Sequence, residues 1–342
     1  MKLLNIQGLI ISNPINIRYI LGIPVEGKIL IADRENIFVT DARYIEEVNR
    51  FLTINDEFVI YDAKDLSDTD NQNFFQNCEN VGFEENYVTF AEYENIIRKY
   101  RIKNMEETEG IIEKMRMVKD EDEIRKIEKA CEITDKCFDY ITSFIKIGMT
   151  ERQIALEIQK YFLENGAEGE AFETIVASGE NSSKPHAVPS DKIIREGDPI
   201  TIDFGAKYKG YCADMTRTIF AGYVNEQMKE TYELVLRNQL RATKEIKEGT
   251  SCKMLARSVE NEFYLYNYSL IHALGHGVGL SVHELPILSH NSQLSLKEDM
   301  VVTNEPGIYI PGKYGIRLED TIRVGRNEPE VLTKSTKDIV II

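Results

Sequence analysis

Residues 200–218, ITIDFGAKYKGYCADMTRT, read as a β-hairpin, and the place of the turn decides which residues face each other. A loop of two or four residues centred between Tyr208 and Lys209 sets Asp203 directly opposite Asp214. A second stretch, NEPGIYIPGKYGIRLED (304–320), reads the same way: a loop centred on Gly312 sets Glu305 opposite Glu319. Like charges facing each other on adjacent strands are unfavourable, and the repulsion grows as the dielectric falls. One such pair passes as a solvated accident. Two, at corresponding places in an internal repeat, ask for a cation between them.

The repeat extends beyond the hairpins. IKIG at 145–148 returns as IKEG at 246–249, and Ile154, Ala155, Ile158 and Phe162 return as Leu255, Ala256, Val259 and Phe263. Upstream, Ile124, Ile127, Cys131, Thr134, Phe138, Ile141 and Ile145 recur at three and four, one buried helical stripe that Gly148 is expected to end. Thr150 and Gln153 form a capping box for the next helix. The pattern is helix, helix, hairpin, twice over.

Between the hairpins lies HALGHGVGLSVHE (272–284), which holds three of the five histidines in the chain. Gly275, Gly277 and Gly279 argue against a helix, since each costs about 1 kcal/mol against alanine there. An extended segment is expected instead, with something approaching its backbone closely. His276 adds an imidazole to the four carboxylates. Such an oxygen-rich set suits two divalent ions, manganese first, with cobalt, zinc or iron as rivals.

Composition excludes several classes. A length of 342 residues suggests roughly two domains. A net charge of −16 and a pI near 4.9 argue against nucleic acid or an anionic membrane as partner. No apolar run approaches the ~18 residues of a membrane span. The start MKLLNIQGLIIS, broken by Asn5 and Gln7, is not read as a signal peptide. Five cysteines without a C-x-x-C point to reduced thiols in a cytoplasmic compartment.

Residues 1–113 are expected to form a small α/β domain. Strands are read at 9–12, 28–32, 36–40 and 81–84, with a turn at Asp33-Arg34-Glu35, and helices at 14–21, 41–51 and 90–100. KDLSDTDNQN (64–73) is read as a polar surface loop. A charged joint at 114–118 leads into a second domain at 119–342.

KPHAVPSDKIIREGDPITIDFGAKYKGYCADMTRTIFAG (184–222), HALGHGVGLSVHELP (272–286) and NEPGIYIPGKYGIRLEDT (304–321), in this order and spacing, resemble the Xaa-Pro peptidase group of the pita-bread metallopeptidases. The leading domain, with TDARY (40–44), is similar to the creatinase/prolidase N-terminal domain. The resemblance implies an α/β (α+β) chain: a small α/β domain, then a pita-bread domain with a pseudo-two-fold helix-helix-hairpin repeat. It implies metal ligands at Asp203, Asp214, His276, Glu305 and Glu319, with Asp214 and Glu319 bridging two ions. The substrates implied are proline-containing peptides, and the assembly implied is a homodimer.

Roles follow for other residues. Glu305 would also shuttle a proton to the leaving amine, and His283 would donate a hydrogen bond to the oxyanion. His186 and His272 would line the substrate pocket, while Thr216, Tyr309 and Arg317 would orient the ligands. His290 lies outside any motif. Similar microbial prolidases carry an arginine just after the second histidine of the motif, suited to the free carboxylate of a dipeptide. Ile287 stands there instead. The expectation is therefore an Xaa-Pro aminopeptidase acting on peptides of three or more residues, with an Xaa-Pro dipeptidase (prolidase) as the alternative. A non-catalytic pita-bread binding module is the alternative of another class, and the presence of all five ligands speaks against it.

Overall fold

The computed structural model describes residues 5–33, 35–52 and 58–342. The chain divides into two units, Met1–Met115 and Arg116–Ile342.

In the first unit, short apolar strands alternate their side chains between two faces of one sheet. The strands are β1 (Gly8–Ile11), β2 (Lys28–Ile31), β3 (Asn36–Thr40), β4 (Val59–Asp62), β5 (Asn80–Phe83) and β6 (Asn104–Glu107), in the order β4-β3-β2-β1-β5-β6. The helices are α1 (Pro14–Leu21), α2 (Ala42–Leu52), α3 (Asp68–Phe74), α4 (Phe90–Tyr100) and α5 (Ile111–Arg116). Leu9, Ile11, Ile29 and Phe38 pack with Ile17, Leu21 and Val48 of α1 and α2. Their neighbours Ile10, Leu30, Ile37 and Val39 pack with Ile96 and Tyr100 of α4. The expected elements are present to within a residue or two. Arg34, in the expected turn, lies outside the described residues. The expected loop at 64–73 is instead partly helical, because Ser67 and Asp70 close a capping box around the start of α3.

The second unit holds α6 (Glu121–Phe144), α7 (Glu151–Glu164), α8 (Glu226–Glu245) and α9 (Cys252–Leu265). Its strands are β7 (Gly169–Glu170), β8 (Ile175–Ser178), β9 (Pro199–Phe204), β10 (Ala206–Tyr208), β11 (Tyr211–Cys212), β12 (Met215–Phe220), β13 (Gly275–Gly277), β14 (Glu284–Leu288), β15 (Val301–Asn304), β16 (Gly307–Ile310), β17 (Tyr314–Arg317), β18 (Asp320–Arg323) and β19 (Glu330–Val331). Each half of the repeat has its own core. Phe138 and Ile141 of α6 and Ile154, Ile158 and Phe162 of α7 pack on Ile200, Ile202 and Ile219. Val235 of α8 and Leu255, Val259 and Phe263 of α9 pack on Val302, Ile316 and Ile322. The capping box of Thr150 and Gln153 opens α7. Gly148 does not itself end α6, which stops at Phe144 with Ile145 as cap; at φ +97° it serves the following turn.

One of the two hairpins has the expected register and the other does not. In the second, Gly307 pairs with Arg317 and Asn304 with Asp320, the register that sets Glu305 and Glu319 opposite each other. In the first, Tyr208 pairs with Tyr211 and Asp203 with Thr216, so Asp203 does not face Asp214 across the ladder. The reason is the turn. Lys209 and Gly210 both have positive φ, +47° and +87°, as a tight two-residue hairpin turn demands. That moves its centre one residue towards the C-terminus.

Candidate active site

Asp203 and Asp214 still meet, because the chain breaks regular pairing at Gly205. The strand pairs β9–β12 and β10–β11 belong to different sheets, and a side chain at Gly205 would overlap the Ala213 carbonyl. Asp214 is anchored through its backbone, whose N–H bonds Thr321 Oγ1 at 3.2 Å and whose carbonyl accepts from it at 2.7 Å. His276 comes from the middle of β13. Gly275 and Gly277 on either side have no room for a Cβ, against the Thr303 and Leu285 carbonyls respectively. The extended, closely approached segment expected of these glycines is what forms.

These elements bring four of the expected ligands together directly. His276 Nε2 lies 3.6 Å from Asp214 Oδ2 and 3.4 Å from Glu305 Oε1. Donor atoms of Asp214, His276 and Glu319 all lie within 4.8 Å of one another, a spacing one ion can span. Asp203 lines the same cavity, but its Oδ2 accepts from Arg317 Nη2 at 2.5 Å.

Arg317, Tyr309, Thr216 and His272 form one chain of bonds behind the carboxylates. Arg317 donates to the Tyr309 hydroxyl at 2.6 Å and to Thr216 Oγ1 at 3.1 Å, and Thr216 donates to Glu319 Oε2 at 2.6 Å. His272 holds the Ala273 carbonyl through Nδ1 at 2.7 Å and meets the Tyr309 hydroxyl at Nε2, 3.0 Å. Both its nitrogens are thus engaged within the protein. His283 is exposed, its ring 4.2 Å from that of His276, and His186 stands exposed on the cavity wall. His290 is exposed and does not line this cavity.

The cavity measures about 250 Å³. Phe172, Ile175, Pro185 and Ile287 add apolar side chains to its lining. No motif marked Phe172 or Ile175. Only their places near the strand that leads to Asp203 connect them to the site.

Burial sets the charge state. It pushes the carboxyls of Asp214 and Glu319 well above the usual range, reinforced by the other acids, and that of Glu305 up to about 8. It also lowers His272 and His276 to about 4, so both imidazoles are neutral at pH 7. Asp203 Oδ1 and Asp214 Oδ1 are buried without a hydrogen-bond partner among the described residues. Unsatisfied acceptors, crowded acids and a neutral imidazole are the donor set of a divalent cation.

Residues 125–326 match metallopeptidase family M24, and residues 1–118 match the creatinase/prolidase N-terminal domain. The chain belongs to metallopeptidase family M24. An M24 family member is expected to use divalent metal, and these residues fit one. The chain is 38% identical over 340 residues to an Xaa-Pro dipeptidase of Pyrococcus furiosus, covering 98% of this chain and 96% of the relative. Among solved structures, an Xaa-Pro dipeptidase from Bacillus anthracis superposes with a TM-score of 0.94 at 35% identity, covering 100% of this chain and 96% of the other. An X-Pro aminopeptidase from Thermotoga maritima gives 0.90 at 34% identity, covering 100% and 99%. Among the described residues, no helix is long and apolar enough to cross a membrane.

Proposed function

We propose that this M24 metallopeptidase is an Xaa-Pro dipeptidase, hydrolysing the bond before proline in dipeptides. The observation that carries this reading is the similarity, over nearly the full chain, to Xaa-Pro dipeptidases of Pyrococcus furiosus and Bacillus anthracis. It replaces the expectation of an aminopeptidase, which rested on a single missing arginine.

Asp203, Asp214, His276, Glu305 and Glu319 would hold two divalent ions, with manganese the first choice. When bound, such ions polarise a peptide carbonyl and acidify water. The side chains do the rest. Glu305, deprotonated when it holds metal, would take a proton from the attacking water and return it to the leaving amine. His283 donates towards the carbonyl oxygen. His186 and the apolar side chains of the lining enclose the proline ring, whose tertiary amide offers no N–H to an extended-backbone binding site. The five cysteines are free and buried, which fits a reducing cytoplasm. A homodimer is part of the proposal; a monomer at micromolar concentration in light scattering removes it.

One observation favours the aminopeptidase reading. Ile287 sits on the cavity wall, and Arg317, whose side chain is 4% exposed, spends its donors on Asp203, Tyr309 and Thr216. A dipeptide's carboxylate therefore meets no uncommitted arginine among the described residues lining this cavity. The test compares kcat/KM for an Xaa-Pro dipeptide and the matched Xaa-Pro-Yaa tripeptide. A dipeptide preference of about tenfold, or about 1.4 kcal/mol, is expected. The opposite preference of that size returns the enzyme to the aminopeptidases.

A further inference from the structure

Beside the carboxylates lies a buried ionic cluster with no ligand role. The Glu284 side chain, 5% exposed, accepts from Arg116 Nη2 at 2.5 Å and from Lys119 Nζ at 2.8 Å. Arg116 and Lys119 are themselves 5% and 1% exposed. Two cations thus converge on one buried acid, and the buried Glu123 carboxylate also acts on Lys119. One cation would satisfy Glu284 at a lower desolvation cost, so the second is not explained by pairing alone.

The cluster closes the loop that carries His283. Glu284 opens β14 directly after His283 and pairs with Gly277 where the ladder shifts register after His276. Glu284 Oε2 accepts from the Ser281 N–H at 3.4 Å, and Arg116 Nη2 reaches Ser281 Oγ at 3.3 Å. The absent Cβ of Gly279 leaves the space that the Glu284 carboxylate fills. The Gly279 N–H bonds the Ser281 carbonyl at 3.0 Å, while the Gly279 carbonyl accepts from the Cys212 N–H at 2.8 Å. Both ends of the short loop are therefore fastened. The His283 ring has no such restraint of its own: among the described residues no hydrogen bond holds it, and its fixed neighbour is the His276 ring. Where the imidazole points is set by its backbone, and the backbone is set by Glu284.

We propose that Glu284, held by Arg116 and Lys119, is a positioning residue that keeps His283 aimed at the substrate carbonyl. This rests on the reading of His283 as hydrogen-bond donor to that oxygen. A donor displaced by about 1 Å can cost two orders of magnitude in rate without touching the metal ligands.

The experiment is a double-mutant cycle on the manganese-loaded enzyme with Ala-Pro as substrate, using Lys119→Met, Glu284→Gln, His283→Ala and the two combinations with His283→Ala. Lys119→Met leaves a neutral Arg116–Glu284 pair, so it keeps the test alive if Glu284→Gln does not fold. In Lys119→Met, kcat is expected to fall about tenfold, with KM within about threefold and metal content unchanged. In the His283→Ala background the same substitution is expected to cost less than about twofold, because the residue it positions is already gone. Lys119→Arg should restore most of the lost kcat. Equal losses in both backgrounds, or a lowered melting temperature with unchanged kcat, overturn the proposal while leaving the role of His283 standing. An unchanged kcat in His283→Ala overturns both.

Discussion

Asp214 is the residue where the electrostatic argument is sharpest. It is buried, its Oδ1 is unpartnered among the described residues, and Glu319, Asp203 and Glu305 all push its carboxyl up. An amide there removes one acid from a crowded cluster. Asp214→Asn is therefore expected to raise the melting temperature of the chelator-treated protein, while abolishing turnover and releasing at least one ion. Elemental analysis and calorimetry on the same sample check both halves. Full activity with one metal per chain would overturn the dinuclear reading. His283→Ala should behave in the opposite sense, keeping metal and melting temperature but losing roughly 10²–10³-fold in turnover. If that variant folds but loses its metal, the ligand assignment is wrong. At this scale the motifs named the acids and histidines that the structure gathers around one cavity, because each lies in a short, recognisable stretch. Glu284, Arg116 and Lys119 could not be found this way. Glu284 is distant in sequence from both cations, and nothing in a lone glutamate announces two cations brought to it by folding.

At the scale of elements, the site depends on one strand parting from its neighbour at Gly205. A Cβ there would strike the Ala213 carbonyl, the residue before Asp214. Gly205→Ala is expected to cost about 1–3 kcal/mol and to weaken metal binding, by pushing Asp214 away from Asp203. Metal titration alongside thermal melting tests this, and unchanged metal affinity would show that the break does not set the carboxylate spacing. The helices that frame the site were legible because buried stripes at three and four are a long signal: Ile124, Ile127, Thr134 and Ile141 are all buried. Strands β4 and β6 escaped notice because they are the edges of their sheet, short and mostly partly exposed or exposed. Helix α3 escaped because a capping box, not an apolar face, carries its signal. The first hairpin's register was missed because a shift of one turn residue moves every pair, and only the backbone angles of Lys209 and Gly210 fix it.

Over the whole molecule, metal, protons and stability are linked. Without metal, Glu305 holds its proton up to about pH 8, against 4.5 for an unperturbed glutamate, and Asp214 and Glu319 are shifted in the same direction. Between those limits the folded chain binds more protons than the unfolded one, so stability falls as pH rises. This contribution is complete below the unfolded value and is lost as pH passes through about 8. The histidines do not blur the window: His272 and His276, lowered to about 4, change stability only below their ordinary value of 6.5. Divalent metal needs the same carboxyls deprotonated and must displace those protons, so its affinity rises over the range where the metal-free fold weakens. From pH 7 to 9 the chelated protein should therefore melt at progressively lower temperature, the manganese-loaded protein should fall less, and the gap should widen. The first unit, Met1–Met115, contains none of these groups and has its own two cores. If it melts in a separate step, that step should be insensitive to manganese. Calorimetry at several pH values, with and without chelator, reads both. A gap that stays constant from pH 7 to 9 would mean that the carboxyls are already ionised in the metal-free fold, and that a cation is not what their crowding requires.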